Sequence, residues 1–276
     1  MSVHNAQPIA WLSLLLGLLW AGTAQAAPKA DLWPFWAEHD AESALSVDHS
    51  AWTDWLQRFV QVRRSGANRV DYGAVDPAGR EQLDRYINGL VAMDPRRLTR
   101  AEQKAYWINL YNAITVQLIL QAYPVDSIRQ IKSGFFSAGP WGKTVATVAG
   151  QALTLNDIEH RILRPIWQDP LIHYGVNCAS MGCPDLRPRA YTAARVDQQL
   201  ADNARAFVND ARGVQVDGRR LQVSSIYVWF KDDFDGSDAG VIRHLRAYSE
   251  PDLRDALDAL DEIDDHDYDW SLNDAS

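Results

Sequence analysis

Along residues 50–62 the apolar side chains Trp52, Trp55, Leu56 and Phe59 recur at helical spacing, and Leu83, Tyr86, Ile87 and Leu90 repeat the pattern along residues 79–91. Two packing helices are predicted. A third opens at Thr99, where Thr99-Arg-Ala-Glu102 reads as a capping box, runs through Ala105, Ile108, Asn112, Thr115, Val116 and Ile119, and stops before Pro124. Asn112 falls on its apolar stripe and Asn109 borders it. An amide buried there costs about 1 to 3 kcal/mol unless it is hydrogen-bonded, so both asparagines need partners. The plainest role is to tie down a nearby loop.

Further on, residues 145–148 and 152–155 read as a hairpin joined through Gly150, and "VQVDGRRLQV" as a second one around Asp217-Gly218. Thr154-Leu-Asn-Asp157 caps a short helix with Ile158, Ile162 and Leu163 inward, ended by Pro165. Glu159 rides near its buried edge and His160 on a flank. Residues 171–177 alternate like a strand, which would put Leu171, His173, Gly175 and Asn177 on one face. Val196, Leu200, Ala204 and Phe207 mark another helix, and short helices follow over residues 241–248 and 251–260. The expectation is an α+β fold, a single domain with several helices packed around a small mixed or antiparallel sheet. No repeat, low-complexity segment or long Gly/Ser linker marks a second domain.

Residues 1–26 stand apart from this pattern. The apolar run over residues 9–20 is well short of the roughly 20 residues that span a bilayer, and Ala24-Gln25-Ala26 follows as a small-x-small cleavage site. An export signal is expected, although no Lys or Arg precedes the apolar run. The remaining chain, residues 27–276, would be one globular domain, periplasmic or secreted, with no stable membrane association after cleavage. A net charge of −9, with acids crowded towards the C-terminus, is the wrong field for nucleic acid or anionic lipid. "GFFSAGPWGKT" ends like a phosphate-binding loop, but Ser137 stands where glycine is needed, Pro140 and Trp141 intrude, and a strand follows. It reads instead as an aromatic surface loop or lid, and no cofactor is expected.

The chemistry concentrates in "HYGVNCASMGCPDLRP", which holds both cysteines of the chain, Cys178 and Cys183. Four readings compete. A Cys178–Cys183 disulfide would be a modest staple of about 2 kcal/mol. A strained, exposed bond would instead be a thiol–disulfide exchange site. A thiol hydrolase or transferase would use Cys178 as nucleophile, His173 or His160 as base, and Glu159 or Asn109 as the partner orienting the imidazole. A metal site would gather two sulfurs and two imidazoles, at a spacing unusual for zinc; no metal is expected. The hydrolase or transferase is the leading expectation. The competing class is a non-catalytic module in which a stapled loop and the tryptophans around Trp141 and Trp229 hold a small-molecule or peptide ligand.

Five ordered motifs, "YWINLYNAITV", "LTLNDIEHRILRP", "HYGVNCASMGCPDL", "SSIYVWFKDDF" and "DYDWSLN", resemble the domain of unknown function 547 family over roughly residues 50–273. Members look like exported bacterial proteins or domains of larger eukaryotic ones. The resemblance implies that Asn109, Asn112, Asp157, Glu159, His160, His173, Cys178, Cys183 and Pro184 occupy motif positions. It implies no activity.

Overall fold

The computed structural model describes residues 28–132, 134 and 139–276. The expected export signal lies outside these residues, as do residues 135–138 of the expected aromatic lid. Helices α1 (Ser50–Phe59), α2 (Pro77–Val91) and α3 (Arg100–Ala122) form the first layer. A two-stranded ribbon, β1 (Val60–Gln61) with β2 (Arg69–Val70), follows α1. Thr99 caps α3, its hydroxyl accepting from the Glu102 amide at 3.3 Å. Glu102 itself takes the Val47 amide, so only half of the box closes. Seventeen of the 23 residues of α3 are buried, which makes it the axis of the larger core and not an amphipathic surface helix. Trp36, Trp52, Trp55 and Trp107 are almost fully buried in this core.

The hairpin of β3 (Thr144–Val148) and β4 (Gln151–Thr154) turns through Ala149 and Gly150, both at positive φ. It leads into a π-helical segment, Asp157–Leu163, that continues as α4 (Arg164–Trp167). A π turn is wider than an α turn and is frequent at functional sites. Here it buries Ile158, Glu159, His160, Ile162 and Leu163 together. His160, expected on a flank of this helix, is therefore buried.

The strand expected over residues 171–177 is absent. Asp169 accepts the Leu171 amide at 2.9 Å and Pro170 starts a 3-10 helix, Pro170–Tyr174. Residues 172–177 are all buried, so their apparent alternation carried no facing information. His173 and Asn177 consequently part company at the turn.

The remaining chain builds a second core. Helix α5 (Val196–Val208), strands β5 (Val214–Asp217) and β6 (Arg220–Ser224), and helices α6 (Ser225–Trp229), α7 (Asp238–Tyr248) and α8 (Pro251–Leu257) enclose Phe207, Tyr227, Phe234 and Leu245. Strand β7 (Asp265–Asp267) pairs in parallel with β6, giving a mixed three-stranded sheet. The fold is α+β, with helices dominating and sheets of two or three strands. Among the described residues no helix is long and apolar enough to cross a membrane.

Candidate functional site

The cysteine loop is held from below by amides. Asn112 donates to the Gly175 carbonyl at 2.9 Å and accepts from the Asn177 amide at 2.8 Å. Asn109 grips Tyr191 in the same two-handed way, at 2.8 and 3.0 Å. Both helix asparagines therefore serve loop backbone, and Asn109 orients no imidazole. Asn177 closes the loop, donating to the Pro184 carbonyl at 2.8 Å and accepting from the Ala179 amide at 2.9 Å. That grip sustains Ala179 at φ 60°, a left-handed conformation costing a non-glycine residue roughly 1 kcal/mol or more. From the far side Arg212 donates to the carbonyls of Met181 and Cys183, while Asp185 and Asp210 answer its charge.

A C-terminal strap then crosses the loop. Met181 and Gly182 donate their amides to the Ser271 and Asp269 carbonyls, both at 2.8 Å, and Asn273 donates to Ala179. The strap is anchored beyond the loop by Tyr72 to Asn273 at 2.9 Å and Tyr123 to Asp274 at 2.8 Å. It passes so close over Gly182 that a Cβ there would lie 2.9 Å from the Asp269 nitrogen and 3.0 Å from the Tyr268 ring. This passage sets the Tyr268 hydroxyl 3.0 Å from Cys178 Sγ and 3.0 Å from Cys183 Sγ. The Ser180 hydroxyl completes a tetrad, 2.8 Å from Tyr268 Oη, 3.1 Å from Cys178 Sγ and 3.6 Å from Cys183 Sγ.

Both cysteines are free, Cys183 buried and Cys178 partly exposed. The tetrad favours one negative charge. Burial opposes charge on Cys183, but hydrogen bonds from the Cys178 thiol, the Tyr268 hydroxyl, the Cys178 amide and Ser180 outweigh it and lower its value to about 7. The Cys178 amide lies 3.0 Å from the Cys183 sulfur. Burial and the neighbouring Cys183 push Cys178 well above the ordinary thiol value. The pair thus gives up one proton near neutrality and keeps the other, the charge belonging to the pair. Burial likewise holds Tyr268 protonated.

The histidines make a different site. His173 Nε2 lies 2.7 Å from Asp233 Oδ2, and its ring stacks on Phe230 at 4.4 Å. Arg164 grips the same carboxylate at 2.6 and 3.1 Å and donates to His160 Nδ1 at 3.1 Å. His160 is thus neutral with its proton on Nε2, and burial lowers its pKa. Burial works against ionised Asp233, but the bonds from His173 and Arg164 hold its carboxyl well below the usual range. Glu159 accepts from Tyr111 at 3.0 Å and lies 3.9 Å from His160. Asp157 is a cap, its carboxylate taking the Thr154 amide and hydroxyl at 2.9 and 2.7 Å. Among the described residues neither imidazole hydrogen-bonds to a sulfur, and no group of three His, Cys, Asp or Glu is gathered to hold a metal ion.

Trp141 and Trp229 meet at Trp270 of the strap, each at 5.7 Å, and Tyr268 packs on Trp270 at 4.6 Å. The half-buried aromatics therefore adjoin the tetrad. Sequence reasoning missed Tyr268, Ser180, Asp233 and Arg164. Tyr268 and Asp233 stand inside the motifs "DYDWSLN" and "SSIYVWFKDDF", as Ser180 does in "HYGVNCASMGCPDL" and Arg164 in "LTLNDIEHRILRP", and those motifs were the only signals available.

No curated protein and no solved structure matches this chain. A family model described as "Protein of unknown function, DUF547" matches residues 95–208, from the turn before α3 to the end of α5. That span contains the asparagine clamps, the π turn and both cysteines, and it stops short of Asp233 and the strap. Over residues 95–208 the chain is therefore similar to the DUF547 family.

Proposed function

We propose that the Cys178–Cys183 pair performs thiol–disulfide exchange. The observation that carries this reading is the pairing of two free sulfurs, one of which accepts the other's backbone amide at 3.0 Å and shares its tyrosine. Exchange needs a thiolate and a second thiol and no general base. In the expected hydrolase or transferase an imidazole would serve as the base for the Cys178 sulfur, and His160 and His173 are engaged instead with Arg164 and Asp233. A purely ligand-holding loop has no use for a stabilised thiolate.

In the proposed reaction a thiolate on Cys178, the partly exposed residue of the pair, attacks one sulfur of a substrate disulfide. A Cys178 mixed disulfide forms and the substrate's other sulfur leaves as a thiolate. Cys183 then attacks Cys178 Sγ and releases the second substrate thiolate. The substrate disulfide is reduced to two thiols as the protein dithiol is oxidised; small-molecule and polypeptide disulfides fit equally. Export, as the N-terminal sequence suggests, would supply such partners.

Incubation with glutathione disulfide, acid quenching and intact mass tests the reading. Wild type should lose two protons to an internal disulfide, and Cys183→Ser should accumulate one glutathione adduct on Cys178. Native protein that keeps both thiols, while the denatured chain reacts, would overturn it.

A further inference from the structure

The exchange reading leaves one problem of position. The sulfur best surrounded by donors is Cys183, which is buried, whereas Cys178 is the partly exposed residue of the pair. The charge has to move from one to the other, and a thiol proton has to travel the opposite way. Tyr268 Oη stands 3.0 Å from each sulfur, a symmetric placement for a group that accepts a proton from one and donates to the other. Ser180 is less suited, at 3.1 and 3.6 Å.

We propose that Tyr268 is a catalytic proton relay between the two cysteines, a role that rests on the exchange reading. In the first step the Cys178 thiol gives its proton to the phenol oxygen as the phenol gives its own to Cys183, leaving the thiolate on Cys178. No atom is gained or lost, and no charge rests on the phenol, since both protons move together. After the mixed disulfide forms, the same relay runs outward. The Cys183 thiol protonates Tyr268 as Tyr268 protonates the departing substrate thiolate, so that the resolving sulfur becomes a nucleophile as the leaving group is neutralised.

The strap explains why the relay is a tyrosine carried from 90 residues away. Its backbone is fixed on the loop by the bonds to Met181 and Gly182, independently of the hydroxyl. A Tyr268→Phe chain keeps those bonds and the ring contact over Gly182, and loses only the oxygen.

The test is the rate of wild type and Tyr268→Phe with glutathione disulfide across pH, with melting curves of both. Tyr268→Phe should react about a hundredfold more slowly at neutral pH, the lower range of positioned proton transfer, and its thiol titration should move to higher pH because the thiolate loses a donor. A proton inventory of wild type in mixed light and heavy water needs no variant, and should bow as two moving protons require. An unchanged rate and titration in a folded Tyr268→Phe chain, or a straight wild-type inventory, would overturn the relay and leave exchange standing. Absence of exchange in wild type would remove both.

Discussion

The cysteine tetrad and the histidine cluster are both buried and polar, and both join segments far apart in sequence. In the cluster Asp233 meets Arg164 and His173, and His160 is kept neutral by the guanidinium that donates to it. In the tetrad a negative charge is held by hydrogen bonds alone, because Arg212 alongside is neutralised by Asp185 and Asp210. A closed ion network resists change, and an anion held by movable protons is ready for chemistry. Of the two, the histidines carried the expected general base, and the tetrad is where the structure gathers both sulfurs around one hydroxyl.

The largest effect expected is on acid stability. Burial lowers the pKa of His49 and His244 to about 4, and that of His160 in the same direction. Unfolded histidines bind protons first, so stability falls as pH drops below about 6.5, by about 1.4 kcal/mol per pH unit for each neutral histidine. Denaturant melts from pH 7 to 4.5 should show it, and His244→Gln should flatten the slope. Next, Asp233→Ala leaves Arg164 buried and unpaired and should cost about 3 to 5 kcal/mol, with thiol titration barely moved. A comparable shift in thiol titration would join the two sites and break the comparison. Smaller again, Asn112→Ala strips Gly175 and Asn177 of partners. It should cost about 2 to 4 kcal/mol and, unlike Asp233→Ala, disturb cysteine reactivity, since it loosens the loop.

Much of this architecture was legible. Helical spacing found α1 and α2, the Thr99 cap fixed the start of α3, and Gly150 and Gly218 marked the hairpin turns, both at positive φ. The need of Asn109 and Asn112 for partners was readable because a buried amide must bond. The facing of His173 was not, because continuous burial over residues 172–177 mimics alternation while Asp169 and Pro170 start a helix. The burial of His160 depends on a π turn, for which sequence has no periodic signal. Tyr268 reaches the sulfurs only through long-range strap pairing, which the motif could mark but not place.

The smallest effect separates the sites most simply. His160→Gln should leave the rate with glutathione disulfide within about threefold of wild type, because its ring nitrogen is bonded to Arg164 and to neither sulfur. A hundredfold loss would restore a histidine base.

The central claim is tested most directly by the alkylation rate of the native protein as a function of pH, with the modified cysteine identified by mass. The Cys183 value of about 7 and the raised Cys178 value predict one thiolate per chain, titrating near neutrality, with the second proton retained beyond pH 9. Stability should rise in parallel as pH passes from about 7 to the ordinary thiol range near 8.5, since the folded pair ionises before the unfolded one. Two thiols titrating independently near 8.5, with no rise in stability, would contradict the account.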